Sequence, residues 1–315
     1  VSRREAVLIG TARCLTVLLL LFGVWTAQMA LPGGRASAQS SSAAQPQSAL
    51  EEPDPEDGSV SGAFYHNPYF RLSVPLPPNW SEGLAGPPPS QLGTYVLTAL
   101  DGTTVDAATM LIVAQDLFFG AKPFANAAAM AADFQKAIAA MPDMTIDNGP
   151  APTSVANETM LRLDYHAGGL FRVWLAAERR CHVVTFNITG TDRGRIDDIV
   201  RGLDKMTLPP DATQAVGTAV PGHATPICIK DYVTPQTLLR KVDPILDSGG
   251  LHVPVRIIIG TDGRVRHVHV ISATAAQRRA IAEALAQWAF APHEVLGHPS
   301  EVETGLVFEP KYHRP

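Results

Sequence analysis

The order of elements in the last quarter of the chain is what most restricts its fold. Val253 to Ile259 is a run of mainly β-branched residues, Thr261-Asp262-Gly263 supplies a tight reversal, and Arg264 to Ile271 resumes the strand pattern. Helical spacing follows and closes at Trp288-Ala289-Phe290-Ala291-Pro292, and a last strand runs from Glu301 to Phe308. Thr274 with Gln277 three residues later marks the helix start as a capping box. The inner stripe of that helix is Ile281, Leu285 and Trp288, with Ala284 allowing close approach and Phe290 turning in at the end. These residues are expected to meet Val255, Ile257, Ile259 and Val268, which makes a small two-layer unit of one helix on an antiparallel sheet.

The stretch from 228 to 310 resembles the C-terminal domain of the TonB family, the energy transducers of Gram-negative envelopes. Val242-Asp243-Pro244, the turn Ile259-Gly260-Thr261-Asp262-Gly263, Val268 and Val270, Ala280 to Phe290 with Trp288, and Gly297-His298-Pro299 before Val302 carry the resemblance. It implies recognition by strand addition, in which an extended segment of an envelope or outer-membrane protein pairs with the edge of the final strand. The protein-binding residues would then be Glu301, Val302, Glu303, Thr304, Gly305, Leu306, Val307 and Phe308, with alternate side chains giving selectivity and the backbone giving affinity.

Upstream, residues 61–209 predict an α+β domain. Strands are expected over 69–75, 93–100, 107–115, 159–165, 170–175 and 181–189. A helix over 125–141 would share a stripe of Met130, Phe134, Ile138 and Met141, and one over 192–205 would turn Ile196, Ile199, Val200, Leu203 and Met206 inward. Tyr65, Asn67 and Phe70, followed by Leu76-Pro77 and Trp80, are similar to the entry of the PsbP-like family. That resemblance implies an α/β/α sandwich and a non-enzymatic role in the assembly or working of a larger complex. Tyr69 and Trp80 are either core residues where the strand enters its turn or an exposed aromatic pair for a partner.

Residues 1–38 read as a signal peptide or a membrane anchor. Arg3, Arg4 and Arg13 precede an apolar run, Ala36-Ser37-Ala38 offers a cleavage site, and inner-membrane association would pass through residues 7–31. Residues 39–60, ending in Glu51, Glu52, Asp54, Glu56 and Asp57, are expected to be a disordered tether. Residues 210–226 are expected to be a linker that lets the domain at 227–310 reorient against the first. Loss of four arginines and one glutamate with residues 1–38 moves the formal charge from -5 to -8, which excludes the basic footprint of a nucleic-acid binder. Cys181 and Cys228 are either one disulfide joining the two domains in an oxidising compartment or two separate small apolar residues.

No catalytic, cofactor or metal motif is complete. His293-Glu294 with His298 has the wrong spacing for a zinc helix, and Pro292, Gly297 and Pro299 deny the helix itself. His267 and His269 share a strand face and, with His252, form a weak candidate metal set. A secreted hydrolase with an unrecognised site would draw on His166 or His182 with Asp164 or Glu178. His182 falls on the strand face of Val184, Phe186 and Ile188, which favours a core histidine, and His166 precedes the Gly168-Gly169 hairpin tip. The expected function is a non-enzymatic, periplasmic adaptor without cofactor, and the alternatives are an authentic TonB-type transducer or that hydrolase.

Overall fold

The computed structural model describes residues 52–90, 92–102, 108–120, 123–209, 226–246 and 252–309. The signal or anchor segment and the linker residues 210–225 lie outside them. The first half of the chain contains β1 (Ser59–Ser61), β2 (Phe64–Asn67), β3 (Leu72–Pro75), β4 (Ser81–Ala85), β5 (Thr94–Asp101) and β6 (Ala108–Asp116). These are followed by α1 (Ala127–Ala139), β7 (Thr145–Val155), β8 (Glu158–Ala167), β9 (Leu170–Arg179), β10 (His182–Gly190) and α2 (Arg193–Gly202). The second half contains β11 (Ile227–Cys228), β12 (Leu238–Arg240), β13 (Val253–Ile259), β14 (Val265–Val270) and α3 (Ala275–Leu285). It ends with β15 (Ala289–Phe290), β16 (His293–Val295), β17 (His298–Ser300) and β18 (Val302–Phe308). The whole is a mixed α+β structure dominated by antiparallel sheets.

Seven strands form the large sheet in the order β4-β5-β6-β10-β9-β8-β7, all antiparallel. Alternation along β9 separates its faces. Val173, Leu175 and Ala177 pack with Ile196, Ile199, Val200 and Leu203 of α2 and the following turn, whereas Trp174 and Ala176 pack with Ala127, Ala131 and Ile138 of α1. The helices therefore cover opposite faces. Asn126 caps α1 by accepting from Ala129 N at 2.8 Å, and Asp192 caps α2 by accepting from Arg195 N at 3.2 Å. The expected stripe of α2 is buried, Met206 included. In α1 only Ile138 of the expected stripe is fully buried. Met130 and Phe134 lie at its flank, and Met141 follows the helix outside the apolar cluster.

Strand β3 falls within the expected 69–75, and β1, β2, β4 and β7 add to the expected set. β7 carries Gly149, Pro150 and Pro152, residues a central strand excludes, and it sits at the sheet edge, where a missing N–H costs nothing. Tyr69 and Trp80 are core residues rather than an exposed pair, at 4% and 7% exposure.

The smaller sheet has the order β11-β18-β13-β14, with β11 parallel to β18 and the other pairs antiparallel. Its register gives each face a different chemistry. Val255, Ile257 and Ile259 share one apolar cluster with Val302, Ile281, Leu285, Trp288 and Phe290, as the sequence predicts. Thr274 and Gln277 form the predicted capping box, with Thr274 N donating to Gln277 Oε1 at 3.0 Å and Gln277 N donating to Thr274 Oγ1 at 3.3 Å. Gly263 holds φ at +75°, and a Cβ there would stand 2.1 Å from the Phe290 carbonyl, so the turn between β13 and β14 admits no side chain.

Trp288 is 3% exposed and donates from Nε1 to Val242 O at 2.7 Å. Trp288→Ala removes that packing and orphans the carbonyl, so thermal or denaturant unfolding should show a loss of about 3–5 kcal/mol. An unchanged midpoint would sink this account of the core.

Candidate functional site

The opposite face of the small sheet carries charge, and that face meets the first half of the protein. Arg256 is the one polar residue in the seven-residue strand β13, all of it buried. The register places it beside His269 on β14 and Gly305 on β18, with Glu303 one step along the same face opposite Ile258. Against them stand the end of β6 and the tight turn at Arg180 and Cys181, where φ is 48° and 53°.

These groups close into one buried cluster. Arg256 donates from Nη1 to Asp116 Oδ2 at 2.6 Å, from Nε to Glu303 Oε1 at 3.1 Å and from Nη2 to the Arg180 carbonyl at 2.9 Å. Arg180 donates from Nε to Glu303 Oε2 at 3.0 Å and from Nη1 to the Tyr69 carbonyl at 3.0 Å, and its guanidinium lies 3.7 Å from the Tyr69 ring centre. The Tyr69 hydroxyl donates to Glu303 Oε1. Gly305 admits Phe118, since a Cβ there would fall 2.7 Å from that ring, and the Arg256 guanidinium sits 4.6 Å above it.

Two guanidinium groups balance two carboxylates. Burial pushes the Glu303 carboxyl up, but Arg256, Arg180 and the Tyr69 hydroxyl outweigh it and leave it below its ordinary range. Burial also dominates at Asp116, where Arg256 and the Phe118 N–H only partly offset it, so this carboxyl lies above its ordinary value. His182 is fully buried among Tyr69, Phe70 and Tyr95, donates from Nδ1 to the Arg180 carbonyl at 2.7 Å and turns Nε2 toward Asp116 Oδ2 at 3.5 Å. Burial, then Arg256, holds its pKa well below 6.5.

The acidic segment expected to be a tether is docked here from Glu52 onward. Glu52 pairs with Arg266 at 3.1 Å, Asp54 with His267 at 2.9 Å and Glu56 with His269 at 3.1 Å. The two histidines share one strand face, and Asp54 and Glu56 reach them from within a tight turn in which Asp57 N donates to Asp54 O at 3.0 Å. The predicted mobility between the two halves is corrected as well. Besides the charge cluster, a Cys181–Cys228 disulfide joins them, and Ile271 from the second half lies in the apolar core of the first.

The predicted binding strand divides in two. Val302, Glu303 and Thr304 are buried, so their side chains cannot select a partner as the sequence suggested; Glu303 belongs to the charge cluster and Thr304 Oγ1 donates to Lys230 O at 3.1 Å. Glu301 pairs with Arg266 at 3.0 Å. Along the edge away from β13, Ile227 N donates to Glu301 O at 2.8 Å and Ile229 N to Glu303 O at 3.0 Å. Gly305, Leu306, Val307 and Phe308 have no strand neighbour on that edge among the described residues, and Val307 is 52% exposed.

The histidine candidates do not gather. His166 bonds Asp147 at 2.9 Å, Asp164 is held by Arg162 at 2.7 Å, and Glu178 accepts from Ala127 N at 3.1 Å at the start of α1. His293 and His298 lie on the two strands of a small hairpin, His252 lies near Glu309, and no group of three metal-ligating side chains occurs among the described residues. No described helix is long and apolar enough to cross a membrane.

No family model matches the chain and no curated protein does, so the TonB resemblance rests on its residues alone. Among solved structures, the chain is similar to cyanobacterial PsbP (CyanoP) from Synechocystis sp. PCC 6803. Identity is 16%, the match covers 48% of this chain and 96% of that one, and the TM-score is 0.34. That likeness is too weak to carry an argument about function.

Two outcomes follow from the cluster. Arg256→Ala leaves two carboxylates facing each other in a dry interface and should cost about 3–5 kcal/mol, while Arg256→Met combined with Asp116→Asn, which leaves Glu303 paired with Arg180 and Tyr69, should recover much of it, read by denaturant unfolding. For His182, the unfolded imidazole binds a proton near pH 6.5 and the folded one does not. Its contribution is therefore complete above pH 6.5 and declines as pH falls below it. Wild type should lose about 1 kcal/mol relative to His182→Gln between roughly pH 6.5 and 5.5, steepening toward about 1.4 kcal/mol per pH unit below that; parallel curves for the two proteins would refute this.

Proposed function

We propose that this chain is a non-enzymatic adaptor of the cell envelope that takes up an extended segment of a protein partner along the outer edge of β18. In this reading the first half is a PsbP-like α/β/α assembly domain, and the second is a TonB C-terminal-like module fixed to it. The single observation that carries the reading is the strand already seated on that edge. Ile227–Cys228 runs parallel to Val302 and Glu303, so the edge accepts backbone pairing, and it continues unpaired through Gly305 to Phe308 among the described residues. The disulfide supports an oxidising compartment, and the periplasm is the compartment the sequence favours.

The hydrogen-bonding direction along β18 identifies the groups that would engage. Glu301 and Glu303 turn their carbonyls toward β11. Alternation then turns the backbone of Gly305 and Val307 the same way, while Thr304, Leu306 and Phe308 bond toward β13. Affinity would come from the outward N–H and C=O groups, and selectivity from contact with the exposed Val307 side chain.

Val307→Pro removes one outward N–H and leaves the pairing with β13 intact, because proline is tolerated at an open edge. The variant should keep the wild-type unfolding midpoint and lose any envelope partner that the wild type co-purifies reproducibly. Equal recovery of that partner by both proteins would rule out strand addition at this edge.

A further inference from the structure

The short strand β11 covers part of the edge of the small sheet. It contributes two residues to the ladder; Ile227 N donates to Glu301 O, Ile229 N just past the strand donates to Glu303 O, and the Lys230 carbonyl accepts from Thr304 Oγ1. Ile229 rests against the apolar cluster beneath α3. What distinguishes it is covalent: Cys228 is bonded to Cys181, in the turn that also sends Arg180 to Glu303. One turn thus secures both the strand and its cover. Cys181 and Cys228 are each partly rather than fully buried, and access is one of the factors that govern exchange with a reductant.

We propose that residues 227–230 form a redox-released plug on the binding edge. With the disulfide closed, the plug occupies the edge from Glu301 to Thr304, and only Gly305 to Phe308 remains open. A dithiol oxidoreductase would release it. One thiolate of the reductant attacks a sulfur of the protein disulfide, forming a mixed disulfide and expelling the other cysteine as a thiolate that takes up a proton. The second thiol of the reductant then displaces the remaining cysteine. Two electrons and two protons pass to the protein, and the reductant leaves as its own disulfide. Once free, the edge extends from Glu301 to Phe308 and suits a segment running parallel to β18, with an aliphatic side chain in the place of Ile229.

This inference rests on strand addition being the function of the edge, and the experiment separates the two. Amide hydrogen exchange at Ile227 and Ile229 is measured in oxidised and in dithiothreitol-reduced protein, and at Ile227 alone in Ile229→Pro with the disulfide intact, since proline carries no N–H. In parallel, binding of a fluorescent peptide, Pro-Ile-Ser-Ile-Lys-Asp, is measured by anisotropy; it copies residues 226–231 with serine for Cys228. Reduction is expected to speed exchange at Ile227 and Ile229 at least tenfold, while amides of β13 stay protected. Peptide binding is expected for the reduced protein and for Ile229→Pro, and at least tenfold weaker for the oxidised wild type. Unchanged exchange on reduction overturns the plug. Equal peptide binding by oxidised and reduced protein overturns the gating. Faster exchange with no peptide bound by any form supports release of the plug and overturns strand addition at the edge.

Discussion

Arg256 is the interaction on which the arrangement of the protein turns. It projects from the middle of an otherwise apolar strand, and its three donors reach one carboxylate from each half and the carbonyl of the turn at Arg180. Desolvating such a cluster offsets most of what its ion pairs return, so its weight in net stability is small compared with the cost of mispairing it. A charged sheet face of this kind fits one docking partner in one orientation. Any slip of β13 against β18 by one residue would turn Arg256 toward Trp288 and leave Asp116 facing apolar side chains. The buried charge therefore selects the geometry, and the apolar layer beneath α3 supplies the stabilisation.

What could be read in advance was local. The Thr274 cap, the stripe through Trp288 and the turn at Gly263 are all set by spacing within a dozen residues, and each appears as the pattern implies. The inward stripe of α2 was legible for the same reason. β7 was hidden because Gly149, Pro150 and Pro152 argue against a strand unless its place at an edge is already known.

The junction was harder to see because its partners are far apart in the chain. Glu52, Asp54 and Glu56 have the composition of a solvated tether, and only the sheet brings Arg266, His267 and His269 beneath them. The linker composition of 210–226 suggested freedom between the halves, but composition says nothing of the surfaces it connects. Two signals were present nonetheless: a lone arginine in a run of β-branched residues, and a glutamate near the start of the last strand with valine before it and threonine after it. Each marks a buried position that needs a counter-charge. The choice between a disulfide and two separate cysteines was open for the same reason, since Cys181 and Cys228 are brought together by the turn after β9 and not by any local pattern.

The direction of the cover strand has a mechanical consequence. β11 lies parallel to β18, so a strand seated in the same manner would run alongside it, and tension on that strand along its length would load the hydrogen bonds together in shear rather than peel them apart one at a time. From β18 the force would pass sideways through Glu303 into Arg180 and Arg256, and from them into Asp116 and the large sheet. The charge cluster then acts as a brace between a pulled edge and a broad, stiff base.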